Sequence, residues 1–109
     1  MKFNNIPKRY AGKTYQSTLE ARYAQHLDLL KRGGEIQDYK EQVVFRLNIN
    51  GSHICNYIAD FVVTGKYGRL EIHECKSPIT KTAVWSVKWK LAQALYPEYK
   101  FVVVMRGDF

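Results

Sequence analysis

Apolar residues recur at helical spacing in two stretches of the chain and alternate, or run together, in four others. Leu19, Tyr23, Leu27 and Leu30 trace one helix face. Ser17 with Glu20 three residues on forms a capping box in front of them, and Gly33-Gly34 after Lys31-Arg32 supplies the stop. Residues 36–49 are rich in strand formers, Asn50-Gly51 signals a tight hairpin, and "HICNYIADFVV" is its return strand. "GKYG" turns the chain into a third strand, "RLEIHECK". A second helix over 82–96 carries two apolar stripes: Val84, Val87, Leu91 and Leu95 on one side, Trp85, Trp89, Ala92 and Tyr96 on the other. Such a helix is buried on two sides, or one side meets a partner. Pro97 ends it. "KFVVVM" is continuously apolar, as in a strand parallel to its neighbour and covered on both faces. Residues 1–16, with Lys2, Lys8, Arg9, Tyr10, Lys13 and Tyr15 around Gly12, read as a basic arm or short hairpin. The order α-β-β-β-α-β predicts a single domain over 1–109, a mixed sheet flanked by two helices.

The third strand breaks its own pattern. Leu70 and Ile72 form an apolar row that should continue at 74 and 76, yet Glu74 and Lys76 stand there. A three-residue loop Lys66-Tyr67-Gly68, with Gly at the left-handed position, sets the register. Thr64 then faces Leu70, Asp60 faces Glu74 and Ile58 faces Lys76. One face holds Ile58, Val62, Leu70 and Ile72 together with Asp60, Glu74 and Lys76. Two carboxylates with Cβ atoms about 5 Å apart repel and lose hydration when half-buried. A hard divalent cation such as Mg²⁺ between them removes the conflict. The alternative is a partly exposed salt-bridge cluster at the strand end.

The same register separates a rival set. His53, Cys55, His73 and Cys75 resemble two pairs of zinc ligands on the opposite, less buried face. Cys55 falls opposite position 79, roughly 13 Å along the strand from Cys75. That is too far for a shared tetrahedral ion or a disulfide.

Charge then narrows the partners. Seventeen Lys and Arg against ten Asp and Glu give a net charge of +7, and the isoelectric point lies near 9.5. Such a field favours a polyanion, most commonly nucleic acid. Two cysteines make no disulfide framework, and no segment is long and apolar enough to span a bilayer. The N-terminus lacks the apolar core of a signal peptide, so a reduced, cytoplasmic setting is expected.

Asp60, Glu74 and Lys76 carry a resemblance to the PD-(D/E)XK nuclease superfamily that covers most of the chain. "IAD" stands where that family has its PD, with Ala59 in place of the proline, and "ECK" stands for (D/E)XK. The αβββαβ order resembles its restriction-endonuclease-like core. Small phage and prophage endonucleases of this superfamily are more similar still. The shared positions are Tyr10, Gly12, Tyr15, Ser17, Glu20, Ala21, Gln42, Phe45 and the stretch 57–61. Holliday-junction resolvases of the superfamily have a similar layout, with a Glu on the first helix completing the metal site. Glu20 is the matching residue here, although its place in a capping box explains it equally.

The resemblance implies phosphodiester hydrolysis with one or two Mg²⁺ or Mn²⁺ ions. Glu20, Asp60 and Glu74 would be ligands, joined by the backbone carbonyl of Cys75. Lys76 would orient the attacking water or stabilise the phosphorus centre. Lys8, Arg9 and Lys13 in the arm, Lys81, and Lys88 and Lys90 on the second helix are candidates for holding DNA phosphates. Lys88 lies between the two apolar stripes and is the better inward candidate. Gln93 and Tyr96 are one residue too close for the Gln-x-x-x-Tyr often carried by the superfamily's exonucleases. A structure-selective nuclease acting on junctions or branched DNA is expected, as a homodimer making paired cuts, with Trp85 and Trp89 either at its interface or in the core. The chain would work in a host cytoplasm if phage-encoded. The other readings are a basic nucleic-acid-binding module without catalysis and an interaction protein of a phage complex.

Overall fold

The computed structural model describes residues 8–77 and 81–109; Lys2 of the basic arm lies outside them. A two-stranded hairpin, β1 (Arg9–Tyr10) and β2 (Lys13–Thr14), precedes helix α1 (Thr18–Arg32). The long strands β3 (Ile36–Ile49) and β4 (Ser52–Gly65) follow, then β5 (Leu70–Cys75), helix α2 (Ala83–Leu95) and β6 (Lys100–Val104). The main sheet has the order β3-β4-β5-β6, with β5 and β6 parallel and the other pairs antiparallel. The mixed sheet with two helices matches the expectation from the sequence.

Local chemistry accounts for the boundaries. Ser17 caps α1 by accepting the Glu20 N–H at 3.1 Å. Thr82 does the same for α2 through Trp85 N–H. Asn50 and Gly51 both take positive φ, the geometry of a two-residue hairpin turn between Ile49 and Ser52. Gly65 N–H donates to Arg69 C=O around the loop 66–68, Gly68 has φ +88°, and Thr64 pairs with Leu70.

The sheet separates two apolar clusters. α1 lays Tyr23, Ala24 and Leu27 against Phe61, Val63, Cys75 and Val104. α2 lays Trp89, Ala92 and Leu95 against Phe45, Leu47, Tyr57, Ala59 and Ile72. β6 serves both, Val102 and Val104 toward α1 and Phe101 toward α2.

β4 does not keep one face. Tyr57 and Ala59 belong to the α2 side, but Phe61 and Val63, in the same alternating row, belong to the α1 side. The row changes sides at Asp60. There the β3–β4 ladder skips the pair Gln42–Asp60, Gln42 takes φ +53°, and β4–β5 pairing ends at Phe61–His73. Two expectations are corrected by this turn. Ile58 does not face Lys76 in the buried row; it is half exposed, because β4 has parted from β5 before reaching it. His73 and Cys75 are not on a less buried face, since α1 covers them. Cys55 packs with the α2-side cluster instead, and His53 is exposed and bonded to Asn48. The α2 stripes also divide differently. Leu91 and Leu95 pack on the sheet, while Val84 and Val87 are about two-thirds exposed, 67% and 65%. The first turns of α2 stand over a cleft rather than over the core.

Candidate active site

The cleft has a volume of about 540 Å³ and opens where β4 and β5 part. The N-terminal turn of α1 contributes Ser17 and Glu20, the strands contribute Asp60, Glu74, Cys75 and Lys76, and α2 contributes Trp85 and Lys88. A second hollow beside it shares Gln16, Glu20 and Gln42 and reaches Lys13 and Tyr15.

Asp60 and Glu74 replace the missing ladder with their side chains. Asp60 Oδ2 accepts the Cys75 N–H at 2.9 Å, and Glu74 Oε1 accepts the Asp60 N–H at 3.3 Å. The Tyr57 hydroxyl donates to the same Glu74 oxygen at 2.6 Å. Glu74 Oε2 lies 3.9 Å from the Lys76 Nζ, which also sits 5.0 Å from the centre of the Trp85 ring. Glu20 is 8% exposed, and its carboxylate has no hydrogen-bond or ion-pair partner among the described residues. A buried acid without a partner is costly.

The electrostatics record that cost. Burial pushes Glu20 up to about 7, with the charges of Asp60 and Glu74 adding and Lys76 opposing. Burial also pushes Glu74 up to about 7, again with Asp60 adding, against the Tyr57 and Asp60 hydrogen bonds and Lys76. Asp60 is raised by burial, opposed by the Cys75 N–H, Lys76 and Gln42. Three largely buried carboxylates therefore share one cleft with one close ammonium group.

The donor set fits a hard divalent cation: oxygen ligands, excess negative charge and an unpartnered acid. It is not a closed cage. Among the described residues, no three His, Cys, Asp or Glu side chains are grouped to hold a metal ion as they stand. A small ion that keeps several waters needs only one or two carboxylates, which Asp60 and Glu74 would supply.

Of the residues singled out in the sequence, the structure brings Glu20, Asp60, Glu74, Cys75, Lys76 and Lys88 to one cleft. The contact described for Cys75 here is through its N–H. Lys8, Arg9, Lys81 and Lys90 are exposed and do not line the cleft. Lys13 lines the second hollow, where it pairs with Glu41 at 2.8 Å. Trp89 packs in the core against Tyr57 and Phe101, with Trp85 stacked on it from the cleft side. Tyr57 and Gln42 were missed as site residues. Simple alternation sets Tyr57 on the face away from Glu74, and only the turn at Asp60 brings them together. Gln42 had a signal, its place in the Gln-x-x-Phe pattern, but nothing in that pattern announces a left-handed backbone.

A family model described as "Protein of unknown function (DUF1064)" matches residues 1–108. The chain belongs to the DUF1064 family. No curated protein and no solved structure matches it.

Proposed function

We propose that this DUF1064 chain is a Mg²⁺- or Mn²⁺-dependent DNA endonuclease of the PD-(D/E)XK type, with a restriction-endonuclease-like core, acting on junctions or other branched DNA in the cytoplasm. The observation that carries the reading is the convergence of Glu20, Asp60 and Glu74 in one cleft beside Lys76, with a net charge of +7 on the chain.

Asp60 and Glu74 would hold the cation, with Glu20 turning in as a further ligand. Such an ion, when bound, lowers the pKa of a water and stabilises charge on a phosphate. Lys76, close to Glu74 and packed on Trp85, is placed to contact a phosphate oxygen or the attacking water. Lys88 on the cleft wall would take a neighbouring phosphate. Paired cuts on a symmetric junction call for a homodimer. Among the described residues no helix is long and apolar enough to cross a membrane.

A synthetic four-way junction, a flap and a linear duplex with Mg²⁺ test this. We expect the branched substrates to be cut. Asp60→Ala should abolish cleavage, and Lys76→Ala should reduce it about 10²-fold or more, with binding retained in both. Absence of cleavage in Mg²⁺ and Mn²⁺ by a chain that binds the junction would overturn the endonuclease reading.

A second reading has its own support. Asp60 and Glu74 each satisfy a main-chain N–H of the other strand, so both have a structural use in a basic nucleic-acid-binding module without catalysis. That module would bind DNA with no dependence on divalent cations.

A further inference from the structure

Glu74 has two oxygens, and the fold treats them differently. Oε1 receives two donors, the Tyr57 hydroxyl at 2.6 Å and the Asp60 N–H at 3.3 Å. Oε2 receives neither and faces Lys76. Asp60 accepts the Cys75 N–H through Oδ2, and the Gln42 side chain bonds the same carboxylate. Tyr57 is 2% exposed and is wedged by Phe45 and Trp89, so its hydroxyl is held in place. A phenol fixed by packing on both sides sets the rotation of the carboxylate it bonds.

We infer that Tyr57 is a positioning residue that holds Glu74 to one-oxygen coordination and so sets which divalent cation the cleft prefers. The inference rests on the cation site proposed above. Ca²⁺ gathers six to eight oxygens and commonly takes a carboxylate through both. Mg²⁺, and Mn²⁺ as its stand-in, fits single oxygens in an octahedron completed by water. With Oε1 taking two donors, from Tyr57 and Asp60, Glu74 is not free to chelate through both oxygens, and at Asp60 an ion would share Oδ2 with the Cys75 N–H. The cleft is thereby biased toward the smaller ion. With its hydroxyl engaged by Glu74, Tyr57 acts through that carboxylate.

The test uses the full chain with MnCl₂ and CaCl₂ alone, following free Mn²⁺ by electron paramagnetic resonance and its displacement by Ca²⁺. Wild type should bind Mn²⁺ and resist Ca²⁺. Tyr57→Phe, which removes one oxygen and keeps the ring, should lower the Mn²⁺-over-Ca²⁺ preference about tenfold, in line with the effect of removing a group that orients a ligand. A preference within twofold of wild type would overturn the role of Tyr57 and leave the site standing. Failure of wild type to bind either ion would remove the site and the inference together. A wild-type crystal soaked in Mn²⁺ serves if Tyr57→Phe does not fold. One Glu74 oxygen on the ion with the other still bonded to Tyr57 supports the inference, and two-oxygen chelation refutes it.

Discussion

The main-chain N–H of Asp60 and the carboxylate of Glu74 are joined at 3.3 Å where the two strands cease to pair. Asp60 returns the bond through Oδ2 to Cys75, the residue after Glu74. Each acid closes the backbone of the strand opposite. The parting of β4 from β5, which opens the cleft, is therefore held by the same side chains that line it.

Mutual repulsion among these acids makes the cleft a weak point of the free protein. Glu74→Gln keeps an acceptor for Tyr57 and Asp60 but removes a buried charge. We expect it to raise the melting temperature at mildly alkaline pH, where relief of ~1 kcal/mol reads as about 4–8 °C. Divalent-cation binding should be lost at the same time. Scanning calorimetry and a Mn²⁺ titration on the same sample check both.

The pH dependence follows from the raised carboxyls. Glu20 and Glu74 both sit near 7 in the folded chain because burial and neighbouring acids favour their protonated forms. The folded state then binds more protons than the unfolded one, so stability falls with rising pH. Their contribution is complete below the ordinary carboxyl value of 4.5 and is lost as pH climbs through about 7. Urea titrations of wild type and Glu20→Gln/Glu74→Gln across that window isolate it. The variant's relative stability should rise with pH and level off above the folded values.

Among the lysines, exposure and position divide the work. Lys88 lines the cleft, whereas Lys90 is exposed elsewhere on the same helix. Lys88→Ala should weaken junction binding and reduce the slope of affinity against salt by about one. Lys90→Ala should change each much less. Fluorescence anisotropy at several salt concentrations distinguishes them.

The N-terminal hairpin is fastened through Asp28, which accepts from the hydroxyls of both Tyr10 and Tyr39. Asp28→Ala strands both phenols and should cost about 1–3 kcal/mol. Lys13→Ala breaks only an exposed ion pair with Glu41 and should cost under about 1 kcal/mol. Chemical denaturation of the two variants gives the comparison.

Much of this was legible in the residues. The register at Thr64–Leu70 followed from the loop 66–68, because Gly68 alone in it tolerates φ +88° without strain. Ser17 and Glu20 fixed the start of α1, and Asn50-Gly51 fixed the long hairpin. What escaped was the change of side at Asp60. Alternation is a two-residue rule, and an interruption with a left-handed Gln42 defeats it over a few positions. That interruption placed Tyr57 beside Glu74 and left Ile58 exposed. The exposure of Val84 and Val87 escaped for another reason. An apolar stripe shows which side of a helix seeks cover, not how far along the sheet that cover extends.

Cys75 bonds Asp60 through its N–H, and its side chain is buried in the α1-side cluster, where burial, with the charges of Asp60, Glu20 and Glu74 adding, pushes the thiol far up. Cys55, only half-buried, lies in the other cluster. The two sulfurs thus make an internal clock: a thiol-directed reagent should mark Cys55 first and the buried, poorly ionised Cys75 much more slowly.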